Sequence, residues 1–224
     1  MTTGARRRMG VEQRREQLIA VALELFGRRS PESVSIDDIA TAAGISRPLV
    51  YHYFAGKPDL YQAALRRAAD ELTALFAEPC EGTPGERLSL LTSRFFDFAE
   101  AHGAGLSALR RATAAERLLE EVRHTAYRRL LDRLEIPAPS ARLEVALRSW
   151  LSQLETTALL WLDGRHIPRQ ELELQLVQGF AALTAVSAAH DDGMAALLRD
   201  LLAKEPQDTP FGRLAARLAP LAIG

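Results

Sequence analysis

One cysteine in 224 residues excludes a disulfide framework, because Cys80 has no partner within the chain. Five histidines show neither a Cys/His cluster nor an HExxH spacing, so no structural metal is expected. The chain also lacks any apolar run of roughly 18 residues and any signal peptide, which points to a soluble, cytoplasmic protein without membrane contact. No GxSxG, Walker loop or GxGxxG occurs, and the carboxylates follow the solvated faces of helices. No enzyme site and no cofactor are therefore expected. Strand-like alternation never persists, which leaves helices as the regular structure. Lysine is scarce: Lys57 and Lys204 stand against 26 arginines.

A net charge of −1 argues against a general nucleic-acid binder, but the charge is unevenly spread. Residues 1–57 hold nine basic and six acidic side chains, so this segment is +3 and the remainder −4. A chain that is 47% hydrophobic at this length can bury one sizeable core and a smaller module. The asymmetry fits an N-terminal nucleic-acid module on a neutral to acidic body. Arg6, Arg7 and Arg8 read equally as an arm reaching a minor groove or as a solubilising tail.

Residues 36–60 read as a short helix, a glycine turn, a second short helix and the start of a third. Ile36, Ile39 and Ala40 share one face of the first, and Gly44 supplies the positive φ that a sharp turn needs. Ser46 is expected to cap the next helix through its hydroxyl, with Pro48 in the first turn, where an N–H has no intrahelical partner. Leu49, Val50 and Phe54 remain as apolar anchors, and Arg47, Tyr51, His52 and Tyr53 are left to point outward. This is a helix-turn-helix whose second helix suits a DNA major groove.

From about Glu12 to Tyr61 the chain resembles the TetR family of bacterial transcriptional regulators. The resemblance rests on Phe26-Gly27 closing the first helix, Ser35-Ile36-Asp37-Asp38-Ile39-Ala40, Ala43-Gly44-Ile45-Ser46, and Val50-Tyr51-His52-Tyr53-Phe54 followed by Lys57 and Leu60. Tyr53 departs from the family's more usual histidine. The resemblance implies an all-α protein, with a three-helix DNA-binding domain at 1–57, its first ten residues an arm, and a helical effector-binding and dimerisation domain at 58–224. It places Ser35, Ser46, Arg47, Pro48, Tyr51, His52 and Tyr53 at operator DNA. Lys57, at the start of the fourth helix, is assigned to a phosphate.

Further along, proline and glycine punctuate helices. The first spans 11–27, the fourth runs from Lys57 towards Phe76, and 86–102 presents Leu88, Leu91, Phe95 and Phe98 inward before Gly103 and Gly105 break it. Residues 107–134 hold one or two helices, Ser140 caps a helix reaching Leu162, 169–189 is the last long helix, and an extension begins near Gly193. Leu143, Leu147, Trp150, Leu154, Ala158 and Trp161 form one core stripe, and Leu172, Leu176, Phe180 and Leu183 another. Gly179, Ala182, Ala185 and Val186 are small enough for close helix approach, so two helices from each subunit are expected to make a four-helix homodimer interface. The family also implies a largely apolar small-molecule effector, in a cavity lined by Phe95, Phe98, His102, Tyr127, Trp150 and Gln153. A ligand-responsive repressor on a palindromic operator is the leading expectation. A helical small-molecule binding protein without operator preference is the alternative.

Overall fold

The computed structural model describes residues 10–218, apart from the side chains of Ala114 and Ala215. The arginines at 6, 7 and 8 lie outside the described residues. Within them, regular structure is helical throughout: α1 Val11–Arg28, α2 Ile36–Ala43, α3 Arg47–Tyr53, α4 Lys57–Ala77, α5 Pro84–Arg111, α6 Glu116–Leu134, α7 Ala141–Gly164, α8 Arg169–Ala188, α9 Asp192–Ala203 and α10 Pro210–Leu218. Two compact units result. Of the described residues, one contains those to Asp70 together with His102–Leu119, and the other contains Glu71–Ala101 and those after Leu119. This grouping differs from a cut after Lys57, because α4 and α5 each contribute to both units.

In the first unit α1 buries Leu18, Ile19, Ala22, Leu23 and Phe26, the stripe that a 3.6-residue period places on one face. Its end sits directly against α5. A Cβ on Gly27 would overlap the backbone of Ala104, and one on Gly105 would come within 3.3 Å of Leu23 Cδ2 and Ala68 Cβ. Gly105 thus serves helix packing, and α5 runs on to Arg111 instead of breaking at Gly103 and Gly105. The actual departure from helical geometry is at His102, with φ −126° and ψ 21°. Arg111, in the last turn of α5, donates from Nη2 to the carbonyls of Phe26 (3.1 Å) and Gly27. It thereby satisfies carbonyl groups that a helix C-terminus leaves open. Tyr61 of α4 completes this corner, edge-on to Phe26 with centroids 4.7 Å apart.

In the second unit Ser140 caps α7, its hydroxyl accepting from Leu143 N–H at 3.2 Å. Trp150, fully buried on α7, donates its indole N–H to the Leu176 carbonyl of α8 at 2.9 Å and meets the Phe180 ring edge-on. Helix α8 is apolar around much of its circumference because it packs on α7, α9 and α10. The extension is fastened at a distance of 120 residues in sequence. Glu205 accepts from Gly85 N–H in the first turn of α5 at 2.9 Å, and its other oxygen accepts from the Thr209 hydroxyl. A carboxylate there answers both an open N–H and the positive end of the helix dipole.

The Gly27 contact yields a quantitative expectation. Gly27→Ala forces a methyl into the Ala104 backbone and should cost about 1–3 kcal/mol of stability. Urea unfolding measures it, and a wild-type midpoint would refute so close an approach of α1 and α5.

Candidate nucleic-acid interface

Helix α2 is fixed at its start by a reciprocal cap. Ser35 Oγ accepts from Asp38 N–H at 3.1 Å, while Asp38 Oδ2 accepts from both the N–H and the hydroxyl of Ser35 at 2.8 Å. These hydrogen bonds from Ser35, with Arg29 nearby, hold the Asp38 carboxyl below its ordinary pKa. Ser35, expected at the DNA, thus has a structural duty as well. At the other end Gly44 takes φ 66° and ψ 36°, and Ile45 N–H returns to the Ala40 carbonyl at 3.0 Å. The chain reverses here because a left-handed residue lets the last carbonyls of α2 be satisfied.

The turn delivers α3 with Val50 fully buried and Phe54 nearly so, while Leu49 is half-buried. Ser46 stands at the cap position, but its hydroxyl makes no capping bond. The reason is local. Pro48 removes the N2 donor, and Leu49 and Val50 N–H both reach the Ser46 carbonyl, at 3.0 and 3.3 Å. Arg47, Pro48, Tyr51 and His52 are exposed, Tyr51 by 45%. Tyr53 is half-buried and packs its ring edge against His52, with centroids 5.1 Å apart. The Arg47 guanidinium bridges the two helices. Nη1 pairs with Asp37 Oδ2 at 2.9 Å, Nη2 lies 3.4 Å from the Tyr51 hydroxyl, and the group sits 5.7 Å from the Tyr51 ring centre.

Lys57, too, has a structural duty. Its ammonium donates to the carbonyls of Pro31 and Val34 at 2.9 and 3.0 Å, so two of its three N–H bonds anchor the α1–α2 connection and do not face a phosphate. Asp59 also accepts from Ala55 N–H at 3.1 Å, placing a carboxylate where an anion was expected at the head of α4.

The six expected effector contacts have different surroundings. Phe95 and Phe98 are neighbours, with centroids 6.5 Å apart, and Phe95 also meets Phe76. Tyr127 is buried under the Arg148 guanidinium, 4.7 Å from its ring centre, and Trp150 is committed to the α7–α8 core. Gln153 is exposed on α7, at the edge of the buried stripe, and His102 is exposed at the α5 kink. Phe96 and Trp161, packed at 5.3 Å, are core aromatics that no pocket expectation included. A solvent-open groove of about 580 Å³ lies elsewhere in the second unit, among Leu90 of α5, Leu174 and Val177 of α8, and Phe211 of α10.

The small residues of α8 divide. Ala185 is 1% exposed, sharing the inner face with Ala181 and Ala188, so it packs within its own chain. Gly179 opens onto empty space, Ala182 is half-buried and Val186 is 59% exposed. On α7 the matching outer stripe is Val145, Ser149, Ser152, Thr156 and Leu160, the last 68% exposed.

Residues 18–64 match the model of bacterial regulatory proteins of the tetR family, and residues 84–183 match the tetracyclin repressor-like C-terminal domain. A crystal structure of a tetR-family transcriptional regulator from Streptomyces coelicolor superposes with a TM-score of 0.85. It is 58% identical, over 96% of this chain and 100% of that one. The chain belongs to the TetR family of transcriptional regulators.

As a TetR-family chain it is also 36% identical over 100 residues to the transcriptional activator FasR of Mycolicibacterium smegmatis. The transcriptional repressor KstR2 of Mycobacterium tuberculosis is 34% identical over 96 residues. The matched stretches are 44% and 42% of this chain and 46% and 48% of those proteins, so the chain spans about half the length of the curated relatives it matches. Helices α9 and α10 lie beyond the matched C-terminal domain.

The reciprocal cap on α2 should be measurable. Ser35→Ala should cost about 1 kcal/mol. Since the folded-state pKa of Asp38 is depressed, its contribution is present above the unfolded value and is lost as pH falls through the folded one. Thermal melts of wild type and Asp38→Asn should therefore converge as pH drops below about 4; a gap that stays constant into acid would contradict the cap.

Proposed function

We propose that this TetR-family chain is a ligand-responsive repressor that binds a palindromic operator as a homodimer. The observation that carries the reading is the division at α3, where Val50 and Phe54 are buried and Arg47, Tyr51 and His52 are exposed beside the capped helix α2. An arginine at the first position of such a helix reaches guanine O6 and N7 with two parallel N–H groups. Tyr51, His52, Tyr53, the unengaged Ser46 hydroxyl and the remaining N–H of Lys57 supply backbone contacts that set register. No base or phosphate contact requires a strongly basic domain when so few side chains are used.

Two reading heads match a palindrome when they lie about 34–36 Å apart, one helical turn of DNA. The outer stripes of α7 and α8, with Val145, Leu160, Gly179, Ala182 and Val186 unfilled by their own chain, support a four-helix union of two subunits. Relatives include both an activator and a repressor. Repression is the simpler outcome, since occupancy of a site overlapping a promoter blocks transcription without a further contact. An effector must favour a conformation whose heads no longer fit the operator. The α5–α8–α10 groove has the volume of a small-molecule site, and Leu90, Leu174, Val177 and Phe211 give it an apolar surface for a largely apolar effector, with Glu86, Glu173 and Glu205 also in its lining.

Competition binding on operator variants tests the reading. Arg47→Ala should lose about 1–3 kcal/mol of discrimination at one base pair of each half-site, and equal weakening on every variant would remove the base contact. For assembly, Leu160→Arg with Val186→Arg should give folded monomers by light scattering, whereas Ala185→Arg should unfold the chain because that site is already filled. A surviving dimer in the first variant would place the interface elsewhere.

A further inference from the structure

Asp37 has no part in the capping of α2, which Ser35 and Asp38 complete between them. It is an exposed carboxylate in the first turn of α2, where the helix dipole favours negative charge, and it stands on the face meant for a polyanion. What it does in the structure is hold Arg47: Oδ2 is 2.9 Å from Nη1, across the turn from one helix to the next. Tyr51 bounds the same guanidinium from the other side, within α3.

From this geometry we infer that Asp37 is the residue that makes Arg47 a base reader instead of a phosphate binder. The inference rests on the operator-binding reading above and deepens it by assigning the selectivity of that site. A guanidinium has five N–H donors in one plane. With one of them on Asp37 and another directed at the Tyr51 hydroxyl, the plane is fixed and donors remain for the parallel pair that guanine requires. The carboxylate also cancels the net charge of the arginine at short range. That lowers its attraction to the phosphate backbone, which is sequence-independent, and leaves the directional hydrogen bonds to a base edge in place. Asp37 is thus a positioning residue, acting through Arg47.

The test uses the full-length chain and a duplex enriched by the wild-type protein from a randomised pool, with single-base variants and a scrambled duplex as competitors. Asp37→Asn should lose about tenfold in discrimination at the position read by Arg47 and should bind the scrambled duplex more tightly. Asp37→Glu, which keeps the charge, should recover most of the discrimination. In an Arg47→Ala background Asp37→Asn should cause no further loss of discrimination. Unchanged discrimination by Asp37→Asn, or an equal loss in the Arg47→Ala background, overturns the inference while leaving operator binding intact. A wild-type chain that enriches no sequence overturns the operator reading itself, and this inference with it.

Discussion

A seven-residue helix cannot sustain itself in water, where isolated helices of fewer than about 12 residues are marginal. Helix α3 exists because Val50 and Phe54 are buried and because Gly44 turns the chain so that α3 packs on α2. Everything proposed for this protein's DNA face depends on that burial. It fixes the rotation of α3, and rotation alone decides that Arg47, Tyr51 and His52 face away from the core. The capped start of α2 and the Lys57 anchor on Pro31 and Val34 serve the same end, because they fix the helix against which α3 is placed.

The polar chemistry of the first unit is economical. Arg29, Asp38, Lys57 and Arg111 are all occupied with backbone groups or caps, and the guanidinium of Arg15 lies over Phe54. Among the described residues the cation at the head of α3 is bound to a carboxylate. A surface organised in this way favours discrimination over raw electrostatic affinity, since phosphate contacts add affinity without sequence information. The near-neutral charge of the whole chain is consistent with that balance.

Local signals were legible in the sequence and distant ones were not. The Gly44 turn, the Ser140 cap and the stripes on α1 and α7 follow from residue types within one or two turns of each other, so their reading needs no tertiary knowledge. Ser46 misled because capping depends on which N–H groups remain free once Pro48 is present. Gly105 resembled a breaker, yet it is a packing glycine whose partners, Leu23 and Ala68, are far away in sequence. The surroundings of Lys57, Gln153 and Ala185 were hidden for the same reason: the number of a residue in a helix gives its face, but not what the neighbouring helix supplies there. The Asp37–Arg47 pair is likewise invisible from spacing, because it crosses the turn.

The central claim is that Arg47 reads a guanine through its major-groove edge. Replacing the guanines of an enriched duplex one at a time by 7-deazaguanine removes the N7 acceptor and alters little else. At one guanine in each half-site the substitution should weaken wild-type binding about tenfold and leave Arg47→Ala unaffected. Losses that are small and uniform along the duplex, or equal for the two proteins at every guanine, would contradict it.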